Sequence, residues 1–300
     1  MKIKTLLGLL FVTLCIHTQE FKAADNAGAF LETPASASAA GLGLAYTAVA
    51  EDSHAVLWNP GALGFIQKTD IAVMSTQAFE TTTLTGHLAL PVWGWGLGLG
   101  YVSAQTGDIA RATYSSDSGE GLLTGDTLSY RSSALFLAAG KSLTQTISLG
   151  ISLKILAEQI EAAHANGIGV DAGVLFRPIQ PLRFGLSVQN LMAPKMEWTT
   201  PSKNLETYPL NWRAGVAYSF WDTITLSADI NSRANRTSSV YLGAQYQPTP
   251  FLALRTGLSD GILSLGTGLK IAPFTMNFAY SKPKFDYLSD VYKLSFGMVF

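Results

Sequence analysis

The 300-residue chain carries 20 lysines and arginines against 21 aspartates and glutamates, a formal net charge of −1, and 48% of its residues are hydrophobic. Balanced charge without a basic run excludes a nucleic-acid surface built on phosphate contacts. With Cys15 as the only cysteine, intrachain disulfides and thiolate metal sites are excluded as well.

Lys2 and Lys4 precede an apolar run from Leu6 to Ile16. This is the length of a secretory-signal core and too short for a helical membrane span. Residues 1–24 therefore read as an export signal cleaved near Ala23 or Ala24. Leu14 is too large to precede a lipidated cysteine, so Cys15 is expected to leave with the signal. No later run reaches the ~18 apolar residues that would suggest a transmembrane helix.

Residues 25–68 have a different texture. GLGLAYTAVAEDSHAVLWNPGAL, from Gly41 to Leu63, is rich in small residues and turn formers. Gly41 and Gly43 permit a tight backbone path, Ala45, Ala48, Ala50 and Ala55 suit close packing, and Asn59-Pro60-Gly61 forces a turn. Asp52 and Ser53 can cap a helical turn running towards Leu57, and Trp58 is an expected anchor. Such a segment must pack inside something.

From residue 69 to 300 the chain reads as about fourteen strands, each near the length of a tilted bilayer-crossing strand. In VYKLSFGMVF, Tyr292, Leu294, Phe296, Met298 and Phe300 share one face, opposite Lys293, Ser295, Gly297 and Val299. Ile147, Leu149, Ile151, Leu153 and Ile155 likewise oppose Ser148, Gly150, Ser152 and Lys154. Tight links at 92–94, 179–180, 221–222 and 248–250 are expected to alternate with long ones at 106–127, 158–167 and 190–209. This asymmetry, with aromatics such as Trp93, Trp95, Trp212, Trp221, Phe251 and Phe274 at strand ends, points to an all-β transmembrane antiparallel β-barrel. Its expected setting is the outer membrane of a Gram-negative, diderm bacterium, in contact with outer-membrane lipid. A soluble sandwich is the competing reading. Tyr292, Phe296 and the terminal Phe300 fit the strand signal read by the barrel assembly machinery.

A barrel of about fourteen strands leaves a lumen needing occlusion, and residues 25–68 are long enough to be its plug. Gly96, Gly98 and Gly100 lie on one strand face and would give the plug room. Inward polar candidates are Lys154, Asp171, Arg177, Arg183, Arg213, Asp229, Arg255, Lys270 and Lys293, able to line a solute path or hold the plug by ion pairs. Leu122, Leu123, Leu191, Met192, Met196 and Trp198 are candidates for apolar capture in outer loops. His54, His87 and His164 have neither a nucleophile motif nor metal-ligand spacing, so no enzyme activity, cofactor or metal is expected.

GLGLAYTAVAEDSHAVLWNPGAL resembles the N-terminal signature of the PorV/PorQ family, relatives of the FadL-like hydrophobic-compound transporters. There a Gly-x-Gly-x-Ala segment leads through an acidic pair to Trp-Asn-Pro-Ala-Gly-Leu. The matching positions are Gly41, Gly43, Ala45, Thr47, Ala48, Asp52, Trp58, Asn59, Pro60 and Leu63. Ser38 stands where the family usually has arginine, and Gly61-Ala62 inverts its Ala-Gly. The resemblance implies a plugged barrel passing small hydrophobic molecules, with a lateral opening in its wall. The alternative it implies is a PorV-like role holding secreted-protein cargo for type IX secretion; a narrow structural channel is the third reading.

Overall fold

The computed structural model of the protein describes residues 27–32, 35–114, 121–201, 203–234, 236–283 and 289–300. The export-signal reading of residues 1–24, with Cys15, lies outside them. The strands are β1 (Asp70–Ala78), β2 (Thr81–Val92), β3 (Trp95–Tyr114), β4 (Gly121–Ser142), β5 (Ile147–Ile160), β6 (Ala163–Ile179), β7 (Leu182–Met192), β8 (Lys195–Glu197) and β9 (Leu205–Thr207). They continue with β10 (Asn211–Phe220), β11 (Ile224–Arg233), β12 (Ser239–Thr249), β13 (Leu252–Ser259), β14 (Ile262–Ile271), β15 (Phe274–Ser281) and β16 (Val291–Val299). All but β8 and β9 close into one antiparallel barrel of fourteen strands, β7 pairing with β10 and β16 returning to β1.

Side-chain alternation sorts the residues between two media. In β5, Leu149, Ile151, Leu153 and Ile155 face outward and are 37% to 55% exposed, whereas Ser148, Ser152 and Lys154 face inward and are at most 2% exposed. A soluble sandwich would bury the apolar set; this wall turns it outward, as a strand facing lipid must. Tyr292, Phe296 and Phe300 belong to the same exposed outer face.

The tight turns follow from local chemistry. Asp260-Gly261 between β13 and β14 takes φ of 48° and 84°, and Trp93-Gly94 between β2 and β3 takes 50° and 78°. Two left-handed residues match the twist of paired strands, and glycine accepts that region without a Cβ penalty. The expected long links at 106–127 and 158–167 are corrected. β3 and β4 run on as a ribbon, paired through Ile109–Leu128 and Thr113–Leu122 with bulges between, while β5 and β6 meet at a tight turn around Glu161. Beyond the barrel both ribbon faces meet water, so the apolar alternation that marks a strand disappears there while its ladder persists.

Residues 27–66 lie inside the barrel. Two short helices, Ala37–Gly41 and Ala55–Trp58, and 3₁₀ turns at Ala29–Leu31 and Pro60–Phe65 form this luminal segment. It approaches strands around the whole circumference: Gly41 meets Gly266 of β14, Gly43 meets β13, Thr47 meets Gly185 of β7, Gly61 meets Gly173 of β6 and Leu63 meets Gly96 of β3. A segment touching such widely separated strands of a closed wall can occupy only the lumen. The core is the interface between them, with Val56, Trp58, Leu63, Val102, Phe136 and Leu156 buried together.

Many of these contacts are backbone against backbone. A Cβ on Gly257 would overlap the Leu42–Gly43 peptide, and one on Gly150 would overlap the carbonyl of Pro60. Gly257→Val is therefore expected to unseat the luminal segment while the barrel still closes. Proteolysis of residues 35–66 should become rapid, with the gel-shift signature of a folded barrel retained.

Candidate functional site

The interface between luminal segment and wall is the candidate site, and Asn59 is its hinge pin. The proline after it sets the extended backbone of residue 59, and its Oδ1 accepts from Gly61 N at 3.1 Å, capping the 3₁₀ turn Pro60–Phe65. Its Nδ2 donates to Thr47 O within the segment (3.0 Å) and to Val174 O of β6 (2.9 Å). Asp229 of β11 supplies the opposite anchor, its Oδ2 accepting from Tyr46 N (3.0 Å) and Thr47 N (2.8 Å). Trp58 stacks under the Arg213 guanidinium, 4.5 Å from the ring centroid, and meets Tyr46 edge-on.

The inward candidates fall into distinct groups. Arg177 and Arg183 both reach Glu51 of the luminal segment, at 2.9 and 3.2 Å, and Arg177 also covers the Phe65 ring. Arg255 donates to Gln245 and Asn277, both at 2.8 Å. Lys154 and Asp171 form a buried pair at 2.6 Å. Lys293 is buried on the inner face of β16 without an ion pair among the described residues, and Lys270 stands exposed at the turn end. Gly41, Gly43, Ala45, Leu63 and Pro60 are buried against the wall. Gly96, Gly98 and Gly100 face Leu63, Val56 and Leu57.

A second cluster had no signal in the sequence. Tyr46 donates to Asp52 Oδ2 at 2.5 Å, and His54 Nδ1 stands 3.1 Å from the same oxygen. Asp52 caps from one residue further out than expected, its Oδ1 accepting from His54 N before the Ala55–Trp58 helix. Asp70 of β1 accepts from Ser53 N, and the His87 ring of β2 packs at a tilt of 52° against His54 with ring centroids 4.8 Å apart. Burial opposes charge on both partners of the His54–Asp52 pair. The adjacent carboxylate nonetheless holds His54 above its ordinary 6.5, while the imidazole charge and the hydrogen bonds from His54 and Tyr46 hold Asp52 below 3.8. Burial and Asp52 push the Tyr46 phenol well up.

The two ends of the lumen differ. At the end carrying the Trp93-Gly94 turn and the C-terminus, a cavity of about 660 Å³ opens, lined by Tyr46, His54, Phe65, Arg177, Arg255 and Asn277. Towards the other end a pocket of about 40 Å³ lies between Trp58, Phe136, Lys154, Tyr208 and Arg213. There the connection between β7 and β10 folds inward. Strands β8 and β9 pair with each other, and Met196, Trp198 and Tyr208 are buried in the mouth. Tyr208 and Tyr130 both donate to the Glu158 carboxylate, and Thr199 exchanges hydrogen bonds of 3.0 Å with His164. Met196 and Trp198 are thus mouth-closing core rather than exposed capture residues; Leu122, Leu123, Leu191 and Met192 are exposed.

Next to this mouth the wall is irregular. The ladder between β6 and β7 jumps from Val170–Met192 to Ala172–Val188. Asn190 there has φ of 60°, its N donates to Asp171 Oδ1 at 2.7 Å and its Nδ2 donates to Pro209 O. The carboxylate replaces a ladder partner at the bulge.

Residues 161–231 match the family described as "F plasmid transfer operon, TraF, protein". No curated protein matches the chain. Among solved structures, the Ralstonia pickettii toluene transporter TbuX is similar at TM-score 0.65 and 12% identity, over 87% of this chain and 97% of that one. A Pseudomonas aeruginosa FadL homologue is similar at TM-score 0.59 and 12% identity, over 87% and 95%. The Pseudomonas putida toluene transporter TodX is similar at 0.58 and 10%, over 82% and 92%. At these identities the likeness shows a shared fold, a closed antiparallel β-barrel.

Asn59→Ala removes two donors from buried carbonyls and one cap, and is expected to weaken the seating of the luminal segment by about 1–3 kcal/mol. Hydrogen exchange of the 55–65 amides would read this. By linkage, the contribution of His54 is complete below about pH 6.5 and is lost as pH rises through its raised folded value, whereas that of Asp52 is lost only as pH falls through its lowered one. Protection of the 46–58 amides, relative to their intrinsic exchange rates, should therefore fall as pH rises above about 6.5, and His54→Gln should flatten that fall.

Proposed function

We propose that this protein is an outer-membrane barrel of the FadL-like type that passes small hydrophobic molecules across that membrane, residues 27–66 acting as its plug. The observation that carries the reading is a filled lumen beside an interrupted wall. On the mouth side the plug packs closely against the wall around a pocket of about 40 Å³, and the β6–β7 bulge breaks the ladder beside it. A hydrophobic molecule gains by leaving sideways into the bilayer instead of crossing a polar lumen. Leu191 and Met192, exposed beside the bulge, offer it an apolar path. The export signal and the aromatic C-terminal strand fit delivery by the assembly machinery.

The PorV-like reading, holding secreted-protein cargo, draws on the β3–β4 ribbon. Beyond Thr106 and Tyr130 its strands pair only with each other, so both edges are free for an extended chain. The links between β1 and β2, β5 and β6, and β13 and β14 at that end are short and offer cargo little surface.

Cells carrying the intact gene are expected to accumulate radiolabelled toluene or a medium-chain fatty acid faster than a deletion strain, and Asp171→Asn, which loosens the bulge, should alter the rate without lowering barrel abundance. Equal uptake by the intact and deleted strains across both probes would remove the transport reading. Cross-links from residues 107–112 to exported protein would favour the secretion role.

A further inference from the structure

His87 is the buried polar group that the proposed passage does not use. It sits on the inner face of β2, opposite Ala72 of β1 and Gly100 of β3, 3% exposed. Neither of its ring nitrogens has a hydrogen-bond partner among the described residues. Its one polar neighbour of consequence is the His54 ring, 4.8 Å away across the contact between plug and wall. A core histidine kept for packing alone would ordinarily find one partner for its N–H.

The surroundings show what a proton added here would do. From the plug, Asp52 and Tyr46 face His54; from the wall, Asp70 of β1, His87 of β2 and Arg255 of β13 do. With both carboxylates ionised, Arg255 and one imidazolium balance them. His54 holds that charge against Asp52 Oδ2 at 3.1 Å. A second imidazolium, on His87, would have no carboxylate of its own and would stand against the first in a buried site, where like charges are poorly screened.

We propose that the His54–His87 pair is a proton-operated latch: with one proton, held on His54 against Asp52, the neutral His87 ring packs on His54 and keeps the plug against the β1–β2 wall, and a second proton, taken up in acid, drives the two rings apart and unseats the plug. The His54–Asp52 pair cannot produce this response, because it persists down to the titration of Asp52. Loosening that sets in as pH falls below the ordinary imidazole value, before Asp52 is protonated, belongs to the histidine pair. His54 lines the cavity that opens at the C-terminal end of the lumen, so such a latch would respond to acid on that side of the barrel. This inference concerns plug release and is independent of which molecule passes.

The test is conductance of the purified full-length barrel in planar bilayers at pH 7 and pH 4.5, with hydrogen exchange of residues 53–58 measured in parallel. Acid should raise the wild-type open fraction roughly tenfold or more and lower the protection of the 53–58 amides, relative to their intrinsic exchange rates at each pH, to match. His87→Gln, which keeps a polar side chain but does not titrate, should stay closed at both pH values, as should His87→Phe, which fills the site with a ring. His54→Gln should lose the acid response, since the repulsion needs both rings. A wild type unchanged by acid overturns the proposal, as does a His87→Gln barrel that still opens in acid. If both His87 variants are already open at pH 7, the ring serves packing alone and the latch is likewise excluded.

Discussion

Two backbones lying against each other, with no side chain between them, set the terms for the rest of this molecule. Each barrel strand spends its N–H and C=O groups on its neighbours, so a segment filling the lumen finds few free partners in the wall. Glycines on the inner face let that segment come close enough to exclude water, and exclusion makes every unmet polar group costly. The wall therefore supplies discrete side chains where the luminal chain exposes amides, with Asp229 receiving Tyr46 N and Thr47 N. The luminal chain answers with Asn59, which takes up the spare lone pair of Val174 O. Seating and polar satisfaction are one condition here.

Charge distribution gives the two ends different characters. At the mouth, Glu158 gathers two tyrosine hydroxyls and Lys154 is sealed against Asp171, so the charges are neutralised within an apolar cap of Met196, Trp198 and Phe136. At the turn end, Arg255 is held only by amide oxygens, and the cavity before it is open. Sealed pairs fix geometry, whereas solvated charges adapt. The rigid closure and the adaptable vestibule thus lie on opposite sides of the same luminal segment.

The sequence was most legible where a residue faces a single medium. Leu149 to Ile155 and Tyr292 to Phe300 alternate cleanly because one side meets an apolar surrounding and the other a polar lumen, and the closed barrel follows from that contrast. Asn59-Pro60-Gly61 announced its turn, and the glycines of β3 announced a close neighbour. The β3–β4 ribbon was hidden because both its faces meet water, which erases the periodicity while hydrogen bonding continues. Met196 and Trp198 looked like loop apolars since their burial depends on a wall far away in the chain. His87 gave no sign either, as its meeting with His54 depends on how β2 is registered against a segment that local pattern does not place.

Chain order gives the glycine-lined interface a consequence in time. The seam between β1 and β16 joins strands about as far apart in the chain as the barrel allows and pairs over only Asp70–Ser75 against Leu294–Val299. Contacts of such separation pay the largest loop-closure entropy and are expected to form last. The luminal segment precedes β1 and fits with no clearance between backbones, so threading it into a finished ring would be slow. It is better placed as a mandrel, around which the curling sheet takes its radius before the seam shuts.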